Sequence, residues 1–381
     1  MNDEEQQLRN RLERIIAPPS RLEAETMLDA GRRQVFRRRS WQAAGGVALA
    51  TGVVVAVPVV MREPDAAPPA PAYVADSVTP VKKNCQMTAL AMPKGAKEAT
   101  AEGVDPSGRY IIGHDFSGQN FKPILWTDGV PKRLPQVEKS VQLTTVNASG
   151  VVAGLATEGN LEYAFRYENG RYTRLKTPPG DWHIYPWPMM NAAGDIVINA
   201  EPDGKIEGED SIALFWAAGS TTAVKLPLPE EANVYDITDD GMIVGGSFVN
   251  GEGRDAYVWD RTGHGRKLAA PAGMRSVAYA AEGDWATGGL WPATGSGKPA
   301  LWNLKTGAVT KLDGDGPGDS VNRDQLVVAS GKLIRDGKVV GLPAPKGQET
   351  SARAVANTGL IVGVAQDASN DGPTTPRTWK C

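Results

Sequence analysis

The densest group of chemically capable side chains is Gly180-Asp181-Trp182-His183-Ile184-Tyr185-Pro186-Trp187, four aromatic or imidazole rings in six residues beside a carboxylate. Rings at that density would form a stacking platform for a sugar or a peptide, with Asp181 accepting from hydroxyl or amide groups. The competing reading has Tyr185 and Trp187 packed as core, the commoner fate of large aromatics. That run is expected in a loop, and His114-Asp115 and Trp291-Pro292 stand in corresponding loops and join the candidate binding set. Catalytic and metal chemistry find no pattern to rest on. The three histidines, His114, His183 and His264, and the two cysteines show no metal-ligand spacing. Asp313-Gly314-Asp315-Gly316 with Asp319 offers oxygens for Ca²⁺ but lacks the twelfth-position Glu of an EF-hand loop, so a solvated turn is expected. There is no G-x-S-x-G elbow, H-E-x-x-H motif or phosphate loop. Asp181 with Glu201 or Asp203 would make a glycosidase-type pair only at a separation that sequence does not reveal. The expectation is therefore a binding surface with no catalytic residue, no metal and no cofactor.

The elements that must position these residues repeat. Asn233–Gly273 reads as four short strands separated by Gly-rich turns, a small meander too small to stand alone. Its turn-then-strand signature recurs as DPSGRYIIG (105–113), NASGVVAG (147–154), NAAGDIVI (191–198), DDGMIVGG (239–246), AEGDWATGG (281–289), NRDQLVVA (322–329) and NTGLIVG (357–363). The spacing of roughly 35 to 47 residues is that of four-stranded propeller blades. A third strand ending in an aromatic follows most copies, at Trp126, Tyr167, Trp216, Trp259, Trp302 and Trp379, and a Leu-containing fourth strand comes next. Seven in-register copies disfavour a β-sandwich of unrelated hairpins and predict an all-β, seven-bladed β-propeller. The units resemble the bacterial extracellular HAF repeats, A-x-x-I-N-x-x-G-x-V-V-G followed by A-F-x-W-x-x-G, over about residues 86–381. That resemblance implies a propeller outside the cell and carries no catalytic motif. The sixth copy departs from it, having neither the Gly nor the Trp.

Ahead of the repeats, residues 1–40 read as a polar helical tail, with Leu8, Leu12 and Ile15 at helical spacing, Pro18-Pro19 as a stop, and Ser20–Glu23 as a capping box. Five arginines between Arg32 and Arg39 then precede the uncharged run 41–61, long enough to cross a bilayer; by the positive-inside rule they hold the amino end in the cytoplasm. A cleaved signal peptide is the alternative, with Ala70-Pro71-Ala72 as its site, but that site lies well past the apolar run. Residues 62–83 form a Pro/Ala-rich linker and 84–381 the propeller. The tail resembles those encoded beside extracytoplasmic-function sigma factors, which implies a cytoplasmic regulatory partner, although it has no His or Cys for a zinc-type motif. A net charge of −3 argues against a nucleic-acid partner.

The last copy stops at its third strand, and Met87–Gly95 matches a fourth strand, so segment 86–93 should complete the final blade. Aligning Leu90 with Leu268 and Trp379 with Trp259 places Cys85 and Cys381 at the two sides of the missing hairpin turn, which predicts a Cys85–Cys381 disulfide. Together these readings give a membrane-anchored extracytoplasmic module that binds envelope polymer or protein on its loop face. An extracytoplasmic glycoside hydrolase or lyase is the alternative.

Overall fold

The computed structural model describes residues 85–115, 120–159, 161–202, 210–249, 251–367 and 372–381. The expected tail, membrane helix and linker lie outside them, and among the described residues no helix is long and apolar enough to cross a membrane.

A lone first strand, β1 (Gln86–Ala89), precedes the blades. Blade 1 is β2 (Ala99–Val104), β3 (Tyr110–Asp115), β4 (Lys122–Thr127) and β5 (Val130–Arg133). Blade 2 is β6 (Ser140–Val146), β7 (Val152–Glu158), β8 (Leu161–Glu168) and β9 (Arg171–Arg174). Blade 3 is β10 (Trp182–Met190), β11 (Ile196–Pro202), β12 (Ile212–Trp216) and β13 (Val224–Lys225). Blade 4 is β14 (Ala232–Ile237), β15 (Ile243–Val249), β16 (Glu252–Trp259) and β17 (Gly265–Lys267). Blade 5 is β18 (Arg275–Glu282), β19 (Trp285–Trp291), β20 (Lys298–Asn303) and β21 (Val309–Lys311). Blade 6 is β22 (Gly318–Val321), β23 (Val327–Ala329), β24 (Lys332–Arg335) and β25 (Lys338–Val340). Blade 7 is β26 (Gln348–Val355), β27 (Leu360–Asp367) and β28 (Thr375–Lys380), with β1 as its fourth strand. Each sheet is an antiparallel meander, and each blade's first strand touches the first strands of both neighbours, so seven first strands surround one axis.

The recurring residues of the sequence each have a mechanical task. Trp126, Trp216, Trp302 and Trp379 are buried between blades, and each indole N–H donates to a carbonyl just past the fourth strand of the preceding blade. The acceptors are Ala91, Lys176, Ala269 and Pro343, at 2.6, 3.1, 2.7 and 2.9 Å. One side chain thus fills the inter-blade core and hydrogen-bonds across it, and removing such a ring costs ~3–5 kcal/mol. Tyr167 and Ile334 hold the same place in blades 2 and 6.

The turn after each first strand is read by its leading polar residue. Asn147 Oδ1 accepts from Ser149 and Val151 N–H while its amide donates to Ala192 O of the next blade. Asn322 repeats this with Asp324, Leu326 and Ala356 O. An Asn does both jobs because it carries an acceptor and a donor on one short arm.

Every first strand also contains a register shift, and in five blades a glycine of the second strand faces it. A Cβ at Gly113 would lie 1.8 Å from Thr100 O, and Gly154, Gly245, Gly288 and Gly363 meet a first-strand carbonyl at 1.9 to 2.1 Å. The recurring glycine is therefore set by the bulge, where two residues oppose one and a carbonyl swings toward the partner strand.

Closure follows the register read from sequence. Met87 pairs with Trp379, and Leu90 N–H donates to Pro376 O as Leu268 N–H does to Ala256 O. Cys85 and Cys381 are joined, with Cα atoms 4.0 Å apart, where the other blades have a covalent hairpin turn.

Candidate functional site

The bulges build the site. The residue pushed out of register on each first strand is Glu102, Thr144, Tyr235, Tyr279, Asp319 or Arg353, and in blade 3 the triplet Pro186-Trp187-Pro188. These residues interact around the axis. Arg353 Nε lies 3.6 Å from Glu102 Oε2, Thr144 Oγ1 donates to Pro188 O at 2.7 Å, and the Tyr235 and Tyr279 rings meet edge-to-face at 4.8 Å. Burial pushes the Asp319 carboxyl up to about 6, opposed by the Ser330 N–H bond and then by the Arg353 charge. Asp319 is nevertheless exposed to solvent, which screens that shift. Burial raises the Tyr235 and Tyr279 phenols well above the usual range.

The two ends of this ring of residues differ. At the end carrying the strand 1–2 turns, Arg323 of blade 6 reaches past blade 5 to Asp239 of blade 4 (2.9 Å), and also bonds Glu282 of blade 5 (2.8 Å). Asn357 of blade 7 donates to Glu282 and accepts from Arg323 N–H, and Asp239 accepts from Ala192 N–H of blade 3. These bonds run as a chord from blade to blade at that end and tie five blades together. The opposite end bears the strand 2–3 connections and the blade-to-blade connections.

The sequence-predicted residues fall into three groups. Trp182, His183, Tyr185 and Trp187 lie on β10, an axial strand and not the expected loop, because burial of Ile184, Pro188 and Met190 imposes strand alternation broken only by the bulge. Asp181 is exposed just before that strand. Trp182 and Trp187 are partly buried against the core shared by blades 2 and 3. His183 stacks parallel to Tyr185 with centroids 6.4 Å apart. Ser211 Oγ lies 2.6 Å from the Tyr185 hydroxyl, which donates to Asn233 Oδ1 at 2.7 Å, and burial raises this phenol as well. Trp291 stands apart from them, at the end of β19 on blade 5, edge-to-face with Tyr279 at 6.1 Å.

His114 and Asp115 are corrections: both are buried in β3 rather than displayed on a loop. The bulge of blade 2 turns Leu143 N–H away from its ladder, and His114 Nε2 accepts it at 2.7 Å. Asn199 stands at the same position of blade 3 and accepts Val234 N–H, beside the blade 4 bulge, at 2.8 Å. Accepting requires an unprotonated ring nitrogen, and burial drives the imidazole down to about 4, opposed weakly by Glu102. Asp115 Oδ2 pairs with Arg133 at 2.6 Å.

Of the carboxylates weighed for catalysis, Glu201 is buried on β11 opposite His183, and Asp203 lies outside the described residues. In the loop weighed for Ca²⁺, Lys298 Nζ bonds Gly314 O and Asp315 Oδ1, so a lysine supplies the positive charge. Among the described residues no three or more His, Cys, Asp or Glu gather as a metal site.

The axial residues were missed as site residues, yet their position was legible. Each is the first variable residue of the A-x-x-I-N pattern, as in Ala101-Glu102-Gly103-Val104-Asp105 and Leu143-Thr144-Thr145-Val146-Asn147.

No protein-family model matches the chain, and no curated protein matches it. Solved structures do. An oligogalacturonate lyase in complex with manganese aligns with a TM-score of 0.55 at 10% identity, over 78% of this chain and 93% of that one. An oligogalacturonate lyase from Vibrio parahaemolyticus gives 0.53 at 10%, over 78% and 97%. The β-propeller domain of the Trilobed protease from Pyrococcus furiosus, described as having an open velcro topology, gives 0.53 at 12%, over 74% and 95%. At such identities the likeness shows a propeller fold and nothing of activity. Here the ring is shut, by the β1–β28 pairing and the disulfide.

Proposed function

We propose that this chain is a membrane-anchored, extracytoplasmic propeller that binds envelope polymer or protein at the axial mouth opposite the Arg323 chord, without catalysis. The position of Trp182 and His183 carries the reading, because they begin the axial strand of blade 3 at the end opposite the Arg323 bonds, with the exposed Asp181 just before them. The Cys85–Cys381 bond suits an oxidising compartment, and the arginine cluster before the apolar run 41–61 suits a cytoplasmic amino end. The HAF-type pattern supports the same address, and the preceding tail would then face a cytoplasmic regulatory partner. A carbohydrate-active enzyme has less support, because Glu201, one of the carboxylates weighed with Asp181, is buried on β11 opposite His183 while Asp181 is exposed.

Two measurements test this. Protease added to intact spheroplasts should remove the propeller; protection, or a mature protein starting near Tyr73, overturns the anchored topology. Full-length chain in detergent micelles should bind a member of a panel of glycans, cell-wall polymer and envelope proteins. Trp182→Ala should abolish that binding with little change in Tm. Retained binding, or a large loss of stability, would make Trp182 a packing residue.

A further inference from the structure

Blade 6 is cut short. β19 of blade 5 runs five residues past Ala286, the partner of Trp302, whereas β23 ends two residues past Val327, the partner of Ile334. Three fewer residues lower this rim by ~10 Å. The strands close through Ser330-Gly331, both at positive φ (46° and 78°), the tightest of hairpin turns. The rim therefore drops to the level of the bulged residue, and Ser330 N–H bonds Asp319 Oδ2 at 3.1 Å. In blades 5 and 7 the bulged residues Tyr279 and Arg353 lie deeper below their strand ends. The result is a low rim between blades 5 and 7, flanked by Gly316 on one side and Ser351 on the other, with Asp319 beside it.

The groups around this notch hold atoms that no described residue engages. Asp319 Oδ1 has no donor within reach among the described residues. Glu102 takes the Nε side of Arg353, and both Nη atoms lack an acceptor among the described residues. Phe248, Tyr235, Tyr279 and Trp291 form one chain of ring contacts along blades 4 and 5, with centroids 4.8 to 6.1 Å apart. A carboxylate and a guanidinium on adjacent blades, beside a wall of aromatic faces, select among ligand chemistries. A bare cation would meet the Arg353 charge and a bare anion the Asp319 charge. A ligand carrying both signs answers each, its ammonium also gaining from the ring faces and its carboxylate from the planar Nη edge.

We propose that the blade 6 notch binds an α-amino-acid head group, ammonium and carboxylate on one carbon, between Asp319 and Arg353 against Tyr279 and Tyr235. Two sources share that chemistry: a free amino acid, and the exposed amino-acid end of a diamino acid in a cell-wall peptide. The inference rests on the binding reading above for the end opposite the Arg323 bonds, but on residues separate from Trp182.

The test is calorimetry on the full chain in detergent micelles. The probes are D- and L-alanine, meso-diaminopimelate, a tripeptide ending in meso-diaminopimelate, N-acetylalanine and alaninamide. Free amino acids binding as well as the tripeptide would identify the free source, and a tripeptide preference the wall source. Blocking the amine should weaken wild-type binding by roughly tenfold or more, and so should blocking the carboxylate. Asp319→Asn should lose affinity for the parent and become insensitive to N-acetylation. Arg353→Gln should become insensitive to amidation, each variant keeping its melting transition. No binding by any probe, or equal sensitivity of both variants to both blocks, overturns the proposal. If polymer binding through Trp182 persists while these probes fail, the notch assignment alone is wrong. If the probes bind in the expected pattern while no polymer or protein does, the wider reading is wrong and the notch stands.

Discussion

His114 supplies a test in which chemistry and position are separable. Its imidazole falls from the usual 6.5 to about 4 on folding, because burial disfavours the charged ring and Leu143 N–H needs its lone pair. A depressed pKa in a base means the unfolded chain binds the extra proton. The contribution is thus complete above pH 6.5 and is lost as pH falls toward 4, by about 3 kcal/mol across the window. Asp236, pushed up to about 7 by burial, and Asp319, up to about 6, work oppositely: their folded forms hold the proton, so stability falls as pH rises through those values. Raw pH profiles therefore mix the signs, and the informative quantity is a difference between variants. His114→Leu strands Leu143 N–H and should cost about 1–3 kcal/mol at pH 7. His114→Asn copies what Asn199 does one blade on, and should retain most of that stability. The wild-type minus His114→Asn difference should shrink or change sign between pH 7 and 4.5, by about 2–3 kcal/mol. Denaturant midpoints with m-values measured at several pH values would show it. If His114→Asn is as unstable as His114→Leu at neutral pH, or keeps the wild-type acid dependence, the hydrogen-bond account of His114 is wrong.

Three further outcomes follow from the packing. Replacing Cys85 and Cys381 by Ser opens a loop of 296 residues' separation, and in the chain-entropy model costs up to ~5 kcal/mol. Calorimetry should show a Tm drop of up to about 8 °C that matches reduction of the wild type. Gly113→Ala drives a Cβ to 1.8 Å from Thr100 O and should lose at least about 2 kcal/mol. Gly341→Ala, with nothing within 4 Å, should stay within about 0.5 kcal/mol of wild type by the same denaturant assay. Trp302→Phe removes the bond to Ala269 O and part of an inter-blade ring, for about 1–3 kcal/mol by urea titration; an unchanged midpoint would refute the blade-locking role.

The sequence by itself determined whatever depends on neighbours along the chain. Strand alternation, Asn-x-x-Gly turns and a period near that of one blade are local, and they fix seven meanders with their aromatics at one offset. Even the seam was legible, since a missing fourth strand at one end and a spare one at the other admit one closure, and Cys85 and Cys381 fall at its turn. What the tertiary structure decided depends on groups brought together by closing the ring. His114 reads as a binding residue in sequence, but its partner is a backbone N–H on the next blade, brought to it only when the blades pack side by side. The rings of β10 read as part of the connection entering the third blade, whereas packing of Ile184 and Met190 holds the segment as an axial strand. Arg323 reaches Asp239 across 84 residues, and Asp319 feels the Arg353 charge only because blades 6 and 7 adjoin. A repeat pattern shows that one variable side chain per unit points inward. Which of those side chains face each other is set by the order of blades around a closed circle.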